Sequence, residues 1–131
     1  MLYGCNPAWS QHSSMYWLKN AQKAGVKFVF VGPDYNATAA AMDARWIRVR
    51  PGTDAALALG MLNVIINEDL YDHDFVDRWC YGFEELAERA RDYPLDEVAE
   101  ITEIPAEEIV PENFNSAEGI WRLLERMKEE A

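Results

Sequence analysis

Three short turns carry the glycines and polar residues of this chain that are best suited to binding a ligand. Each turn comes after a short run of strand-forming residues, and the three are Gly4-Cys5-Asn6-Pro7, Gly32-Pro33-Asp34-Tyr35-Asn36 and Pro51-Gly52-Thr53-Asp54. Gly4, Gly32 and Gly52 lack a Cβ, so each can adopt positive φ and let the backbone approach a phosphate closely. The turns therefore predict phosphate binding, and the alternative is that all three are ordinary strand-to-helix connections.

Polar side chains in these turns extend the prediction from a phosphate to a nucleotide. Asn6 has an amide that can donate to a pyrophosphate or accept from a hydroxyl. Asp34 and Asp54 have carboxylates that can accept hydrogen bonds from a ribose or from the N1–H and N2–H₂ donors of guanine. Both acids also have a structural alternative, because Asp34 can cap the helix after it, and Thr53 or Asp54 can cap the next one.

The first half of the chain has the alternating pattern of a scaffold that would gather these turns. Strand-like segments at 2–3, 27–31 and 46–49 alternate with helical segments at 13–24, 37–44 and 55–66. This β-α-β-α-β-α order favours an α/β fold with a three-layer, open, mostly parallel, Rossmann-like sheet. Ligands bind outside the carboxyl ends of the strands in such sheets, which is where the three turns would lie.

The second half is acidic and helical. Short helical patterns occupy 72–78, 83–91, 95–101 and 105–109, and apolar residues recur at helical spacing in 116–130, where self-association is possible. The sequence therefore predicts a nucleotide-binding core at 1–66 and a helical extension of the same domain at 67–131. The predicted fold is a Rossmann-like sheet with a helical C-terminal half.

Charge divides the two halves. The formal net charge of −11 argues against nucleic-acid binding, which needs clustered Lys and Arg. Residues 1–66 hold 6 basic and 3 acidic side chains, or +3, and the remaining 6 basic and 20 acidic side chains give −14. An anionic ligand would favour the first half.

Other classes of site have weak support. The longest near-apolar run, 55–66, is shorter than the roughly 20 residues of a membrane span. Cys5 and Cys80 form no metal-binding motif, and Asp72-His73-Asp74, which can coordinate a metal, is of a type usually solvated at helix starts. No catalytic residue and no metal ligand is predicted.

The three turns and the segments around them resemble a known family. The segments YGCNPAWS, FVFVGPDYNATA, RWIRVRPGTDAALALGM, INEDLYDHDFVDRWCYGFEEL and ITEIPAEEI are similar, in unbroken order over about residues 2–109, to the molybdopterin oxidoreductases of the dimethyl sulfoxide reductase family. The resemblance implies an α/β domain that binds one of two molybdopterin guanine dinucleotides, largely through the nucleotide end.

By position, the resemblance implies that residues 4–7 lie near the pyrophosphate, that Asp34 lies near the guanosine and that residues 52–54 contact the guanine. The predicted cofactor-binding residues are Gly4, Cys5, Asn6, Pro7, Gly32, Asp34, Asn36, Gly52, Thr53 and Asp54. The resemblance also implies that the molybdenum ligand and any iron–sulfur segment lie upstream of the matched residues. Cys5 matches the nucleotide loop rather than the metal ligand.

The resemblance implies a parent oxidoreductase, of the kind used in anaerobic respiration, that transfers oxygen atoms or electrons at molybdenum or tungsten. The start MLYGCNPAWS suggests a piece of a longer chain, which would be inactive alone. Its partners would be the rest of the catalytic subunit and an electron-transfer subunit, on the periplasmic side or in the cytoplasm. The alternatives are an NAD-type domain, which lacks GxGxxG here, and a non-enzymatic acidic interaction module.

Overall fold

A computed structural model describes residues 1–109 of the chain, and these residues belong to two compact units. The first unit is 1–51, and the second begins at Gly52. The predicted helix at 116–130, and the self-association assigned to it, lie outside the described residues. The predicted division into 1–66 and 67–131 rests on composition and stays a prediction.

The first unit contains a sheet of three parallel strands. They are β1 (Leu2–Tyr3), β2 (Val29–Gly32) and β3 (Arg45–Arg48), in the order β1-β2-β3. Phe30 pairs with Leu2 on one side and with Trp46 on the other. Phe30 and Val31 point to opposite faces of the central strand and both are buried, which is typical of a parallel strand covered on both faces. The predicted α/β class with a parallel sheet is confirmed.

Three helices connect these strands: α1 (Pro7–Ser10), α2 (His12–Lys23) and α3 (Ala37–Met42). They contact one another, so they form one layer. The core of this unit joins Phe30 of β2 to Ala39 and Met42 of α3, with Met15 and Leu18 of α2 packed against it. This is the apolar contact that holds the strand-to-helix turns in place. The third layer of the predicted Rossmann-like arrangement stays a prediction.

The second unit is helical as far as the structure describes it. Its elements are α4 (Asp54–Asn67), α5 (His73–Trp79), α6 (Phe83–Arg91), α7 (Leu95–Thr102) and a 3₁₀ turn at Ala106–Glu108. Helix α4 packs against both α6 and α7. Gly60 permits the close approach to α7, because a Cβ there would lie 2.9 Å from the Val98 methyl groups. Within residues 1–109 no helix is long and apolar enough to cross a membrane.

Candidate functional site

The loop after β1 is fixed to the start of α3 by a buried hydroxyl. Thr38 is 0% exposed, and its Oγ1 donates to Asn6 Oδ1 at 2.7 Å while it accepts from the backbone N–H of Ala8 at 2.9 Å. Because the single hydroxyl proton is donated to Oδ1, the Asn6 amide lies with its oxygen toward Thr38 and its Nδ2 turned away. Asn6 Nδ2 has no acceptor among the described residues, so it is free to donate to a ligand.

A second clamp on the same loop comes from Asn36. Its Oδ1 accepts from the backbone N–H groups of Thr38 and Ala39, both at 3.0 Å, and so caps the N-terminus of α3. Its Nδ2 donates to the backbone carbonyl of Cys5 at 3.1 Å. One side chain therefore ends the turn after β2 and holds the turn after β1. Two predicted turns are brought together by these contacts.

The backbone of the 4–7 loop suits an anion. Gly4 has φ of +55°, a conformation that glycine adopts more easily than other residues. Its backbone N–H donates to the carbonyl of Val31 at 2.9 Å. The N–H groups of Cys5 and Asn6 make no hydrogen bond within residues 1–109. Pro7 is buried as the first residue of α1. The loop thus presents unpaired donors, and the Cys5 thiol forms no disulfide.

Gly32 does not have the positive φ that was predicted for it. It is the last residue of β2, and it is absent from the glycines with positive φ, so that prediction is wrong here. A Cβ at this position would lie 2.8 Å from the Phe30 ring, so the packing of that ring requires glycine. The carbonyl of Gly32 accepts a hydrogen bond from Trp46 Nε1 at 2.9 Å.

Asp34 lies exposed in the turn after β2. The alternative that it caps α3 is wrong, because Asn36 has that role. In the described part of the chain, no hydrogen bond or ion pair engages its carboxylate. Asp34 is therefore available to a ligand, although nothing bonds it to the Asn6 and Asn36 cluster.

The third turn belongs to the second unit. Gly52 has φ of +82°, which confirms the need for glycine at this position. Thr53 occupies the N-cap position of α4, but its side chain makes no cap hydrogen bond, and Asp54 is the first helical residue. A carboxylate in the first turn is stabilised by the partial positive charge of the helix N-terminus. The alternative that the Thr53 side chain caps α4 is therefore wrong.

The possible metal motif in the second unit has structural roles instead. Asp72 caps α5 by accepting from the N–H of Phe75 at 2.9 Å. His73 Nε2 lies 2.7 Å from Asp69 Oδ1, and Arg78 donates to Asp74 at 3.3 Å. No group of three or more His, Cys, Asp or Glu side chains in residues 1–109 is placed to hold a metal ion.

Sequence reasoning missed two residues that shape the first two turns, Thr38 and Trp46. The partners of Thr38 lie 30 and 32 positions away, and Trp46 Nε1 bonds to a carbonyl 14 positions away. A local pattern signals neither contact. The short helix α1 was also missed, although Pro7 at its first position is a recognised start signal.

Comparison with known proteins finds a family model and relatives that match this chain. The family model described as molybdopterin oxidoreductase matches residues 1–118. The chain is 56% identical over 92 residues to acetylene hydratase from Syntrophotalea acetylenica, covering 70% of this chain and 12% of that protein. It is 39% identical over 89 residues to dimethyl sulfoxide reductase DmsA from Escherichia coli strain K12, covering 65% of this chain and 11% of that protein.

A solved structure is similar as well. The structure of acetylene hydratase from Pelobacter acetylenicus superimposes with a TM-score of 0.70 at 50% identity, covering 82% of this chain and 15% of that one. The chain therefore spans less than a sixth of the length of these relatives.

Proposed function

This chain belongs to the molybdopterin oxidoreductase family, and from that premise we propose that it holds the guanine nucleotide end of a molybdopterin guanine dinucleotide. The observation that carries the proposal is the fixed amide of Asn6. Its oxygen is bound by the buried Thr38 hydroxyl, so its Nδ2 donor is directed away from that contact and is unpaired among the described residues. A donor oriented in advance costs little ordering entropy when a ligand binds.

The 4–7 loop fits a pyrophosphate. Its unpaired groups are the N–H donors of Cys5 and Asn6 and the Asn6 side-chain amide, and no carboxylate takes part in the cluster. Phosphate oxygens accept from such backbone and amide donors. The cluster would therefore hold the diphosphate, with Asn36 and Thr38 keeping the loop in shape.

Carboxylates would recognise the guanosine part of the nucleotide. The exposed, unengaged carboxylate of Asp34 can accept from the ribose or from the N1–H and N2–H₂ donors of guanine. By its position in the family match, Gly52-Thr53-Asp54 is proposed to contact the guanine, and positive φ at Gly52 shapes that turn. When bound, the cofactor supplies the reactive metal centre, whereas the protein supplies binding and orientation.

The rival interpretations lack such support. An NAD-type domain needs a glycine-rich turn leading into a helix N-terminus, and α1 has four residues and begins at Pro7. An acidic interaction module would not explain the unpaired hydrogen-bond donors of the Asn6 cluster. The guanine dinucleotide interpretation uses that cluster directly.

For the longer protein we propose an oxidoreductase acting at molybdenum or tungsten, with the rest of the catalytic subunit and an electron-transfer subunit as partners. A second candidate is a hydratase, favoured because the identity to acetylene hydratase, 56%, exceeds the 39% to dimethyl sulfoxide reductase DmsA. Assays of the purified longer protein distinguish the oxidoreductase from the hydratase. Dye-linked reduction of an oxygen-atom donor supports the first, and conversion of acetylene without a reductant consumed supports the second.

Calorimetric titration of the 131-residue chain with GDP and with inorganic pyrophosphate tests the binding proposal. Asn6→Ala should raise the dissociation constants for both ligands by roughly 10- to 150-fold, because it removes one hydrogen bond to a charged group, worth about 1.5–3 kcal/mol. Asn67→Ala, which changes an exposed asparagine in α4, should leave both affinities unchanged. Equal affinities for Asn6→Ala and the unaltered chain would overturn the proposal.

A further inference from the structure

Two aromatic rings stand together at the carboxyl end of β2. The ring centroids of Tyr35 and Trp46 are 5.7 Å apart with the planes inclined by 51°. Tyr35 is 46% exposed and Trp46 is 38% exposed. Trp46 is the second residue of β3. The hydrogen bond from its Nε1 to the Gly32 carbonyl fixes the indole beside the last residue of β2.

Both rings are held although they are exposed. The Trp46 hydrogen bond is 2.9 Å long, and the Tyr35 hydroxyl lies 3.4 Å from the Ala39 carbonyl in the first turn of α3. Tyr and Trp each join an apolar ring to one polar atom, and in this pair both polar atoms are near a backbone carbonyl. Because both rings are hydrogen-bonded and half-exposed, each offers an oriented apolar face to a ligand.

Charged groups flank this surface in a pattern suited to a nucleotide. Asp34 directly precedes Tyr35, and Arg48 is paired in register with Gly32, so an anion and a cation lie at the same strand ends. Neither side chain has a hydrogen-bond or ion-pair partner among the described residues. A carboxylate matches the donor edge of guanine, and a guanidinium matches phosphate.

We infer that Tyr35 and Trp46 form the stacking platform for the purine base of the nucleotide, with Asp34 at its donor edge and Arg48 toward its phosphate. This inference deepens the proposed function and rests on it. Base stacking on an aromatic side chain is sequence-tolerant and accounts for a measurable share of nucleotide affinity. Neither ring belongs to the cluster around Asn6, so the two contributions can be separated.

Calorimetry on the full chain, with GMP, a free pterin and inorganic pyrophosphate as probes, tests the platform. Trp46→Leu should raise the dissociation constant for GMP roughly tenfold, whereas Trp46→Phe, which keeps a ring face, should change it about twofold at most. Tyr35→Leu, which leaves the Trp46 hydrogen bond intact, should also weaken the binding of GMP. Trp17→Leu, at a 71% exposed tryptophan of α2, is the matched control and should have no effect.

The outcomes separate the inference from the proposed function. Pyrophosphate affinity should be unchanged in every variant, because pyrophosphate has no base. If pyrophosphate binds but GMP affinity is the same in Trp46→Leu and Tyr35→Leu as in the unaltered chain, the platform is wrong and the proposed function stands. The platform is also wrong if only the pterin depends on Trp46. If the unaltered chain binds neither GMP nor pyrophosphate, the stacking platform and the proposed function are both wrong.

Discussion

At the scale of single residues, Thr38 organises the loop that we propose to bind pyrophosphate. Its hydroxyl is fully buried and both donates and accepts, which joins Asn6 of the turn after β1 and Ala8 of α1 to the first turn of α3. The sequence predicted Asn6 as a ligand-binding residue, but not what orients it. That contact spans 32 positions, and only the packing of the sheet brings its ends together.

Replacing this hydroxyl should cost stability and affinity together. Thr38→Val keeps the shape but leaves Asn6 Oδ1 and the Ala8 N–H without a partner, so the free energy of unfolding should fall by about 1–3 kcal/mol. Urea denaturation measures this loss, and Thr38→Ser, which keeps the hydroxyl, should recover most of it. A Thr38→Val chain as stable as the unaltered one would show that the hydroxyl does not hold the loop.

At the scale of elements, the turn after β2 shows where sequence reasoning stops. Asp34 and Asn36 both precede α3, and both residue types are strong caps, so sequence alone cannot choose between them. The structure begins the helix at Ala37, which leaves Asn36 as the cap and frees Asp34. Strand and helix order followed from periodicity, whereas the ends of β2 and of α4 shifted by one or two residues.

The double role of Asn36 can be divided by substitution. Asn36→Ala should lower the free energy of unfolding by about 1 kcal/mol through loss of the cap. Asn36→Asp keeps an acceptor for Thr38 and Ala39 but loses the donor to the Cys5 carbonyl, so stability should be largely kept while amide exchange in residues 4–8 becomes faster. Equal exchange in Asn36→Asp and the unaltered chain would contradict the clamp.

At the scale of the whole molecule, the alternation of strands and helices predicted an α/β fold with a parallel sheet. It could not predict the strand order β1-β2-β3, because several orders satisfy right-handed crossovers. Two of the three predicted turns are joined by hydrogen bonds, through Asn36 and Thr38. The third, at Gly52, lies at the start of the second unit.

We propose that the carboxyl-end turns of this chain hold a guanine nucleotide. Hydrogen–deuterium exchange of the 131-residue chain with GDP, with NAD and without ligand tests it most directly. We predict that GDP slows exchange in residues 4–8, 34–39 and 52–54, that α6 and α7 are unchanged, and that NAD has little effect. Unchanged exchange in these turns with saturating GDP, or equal protection by NAD, would contradict the account.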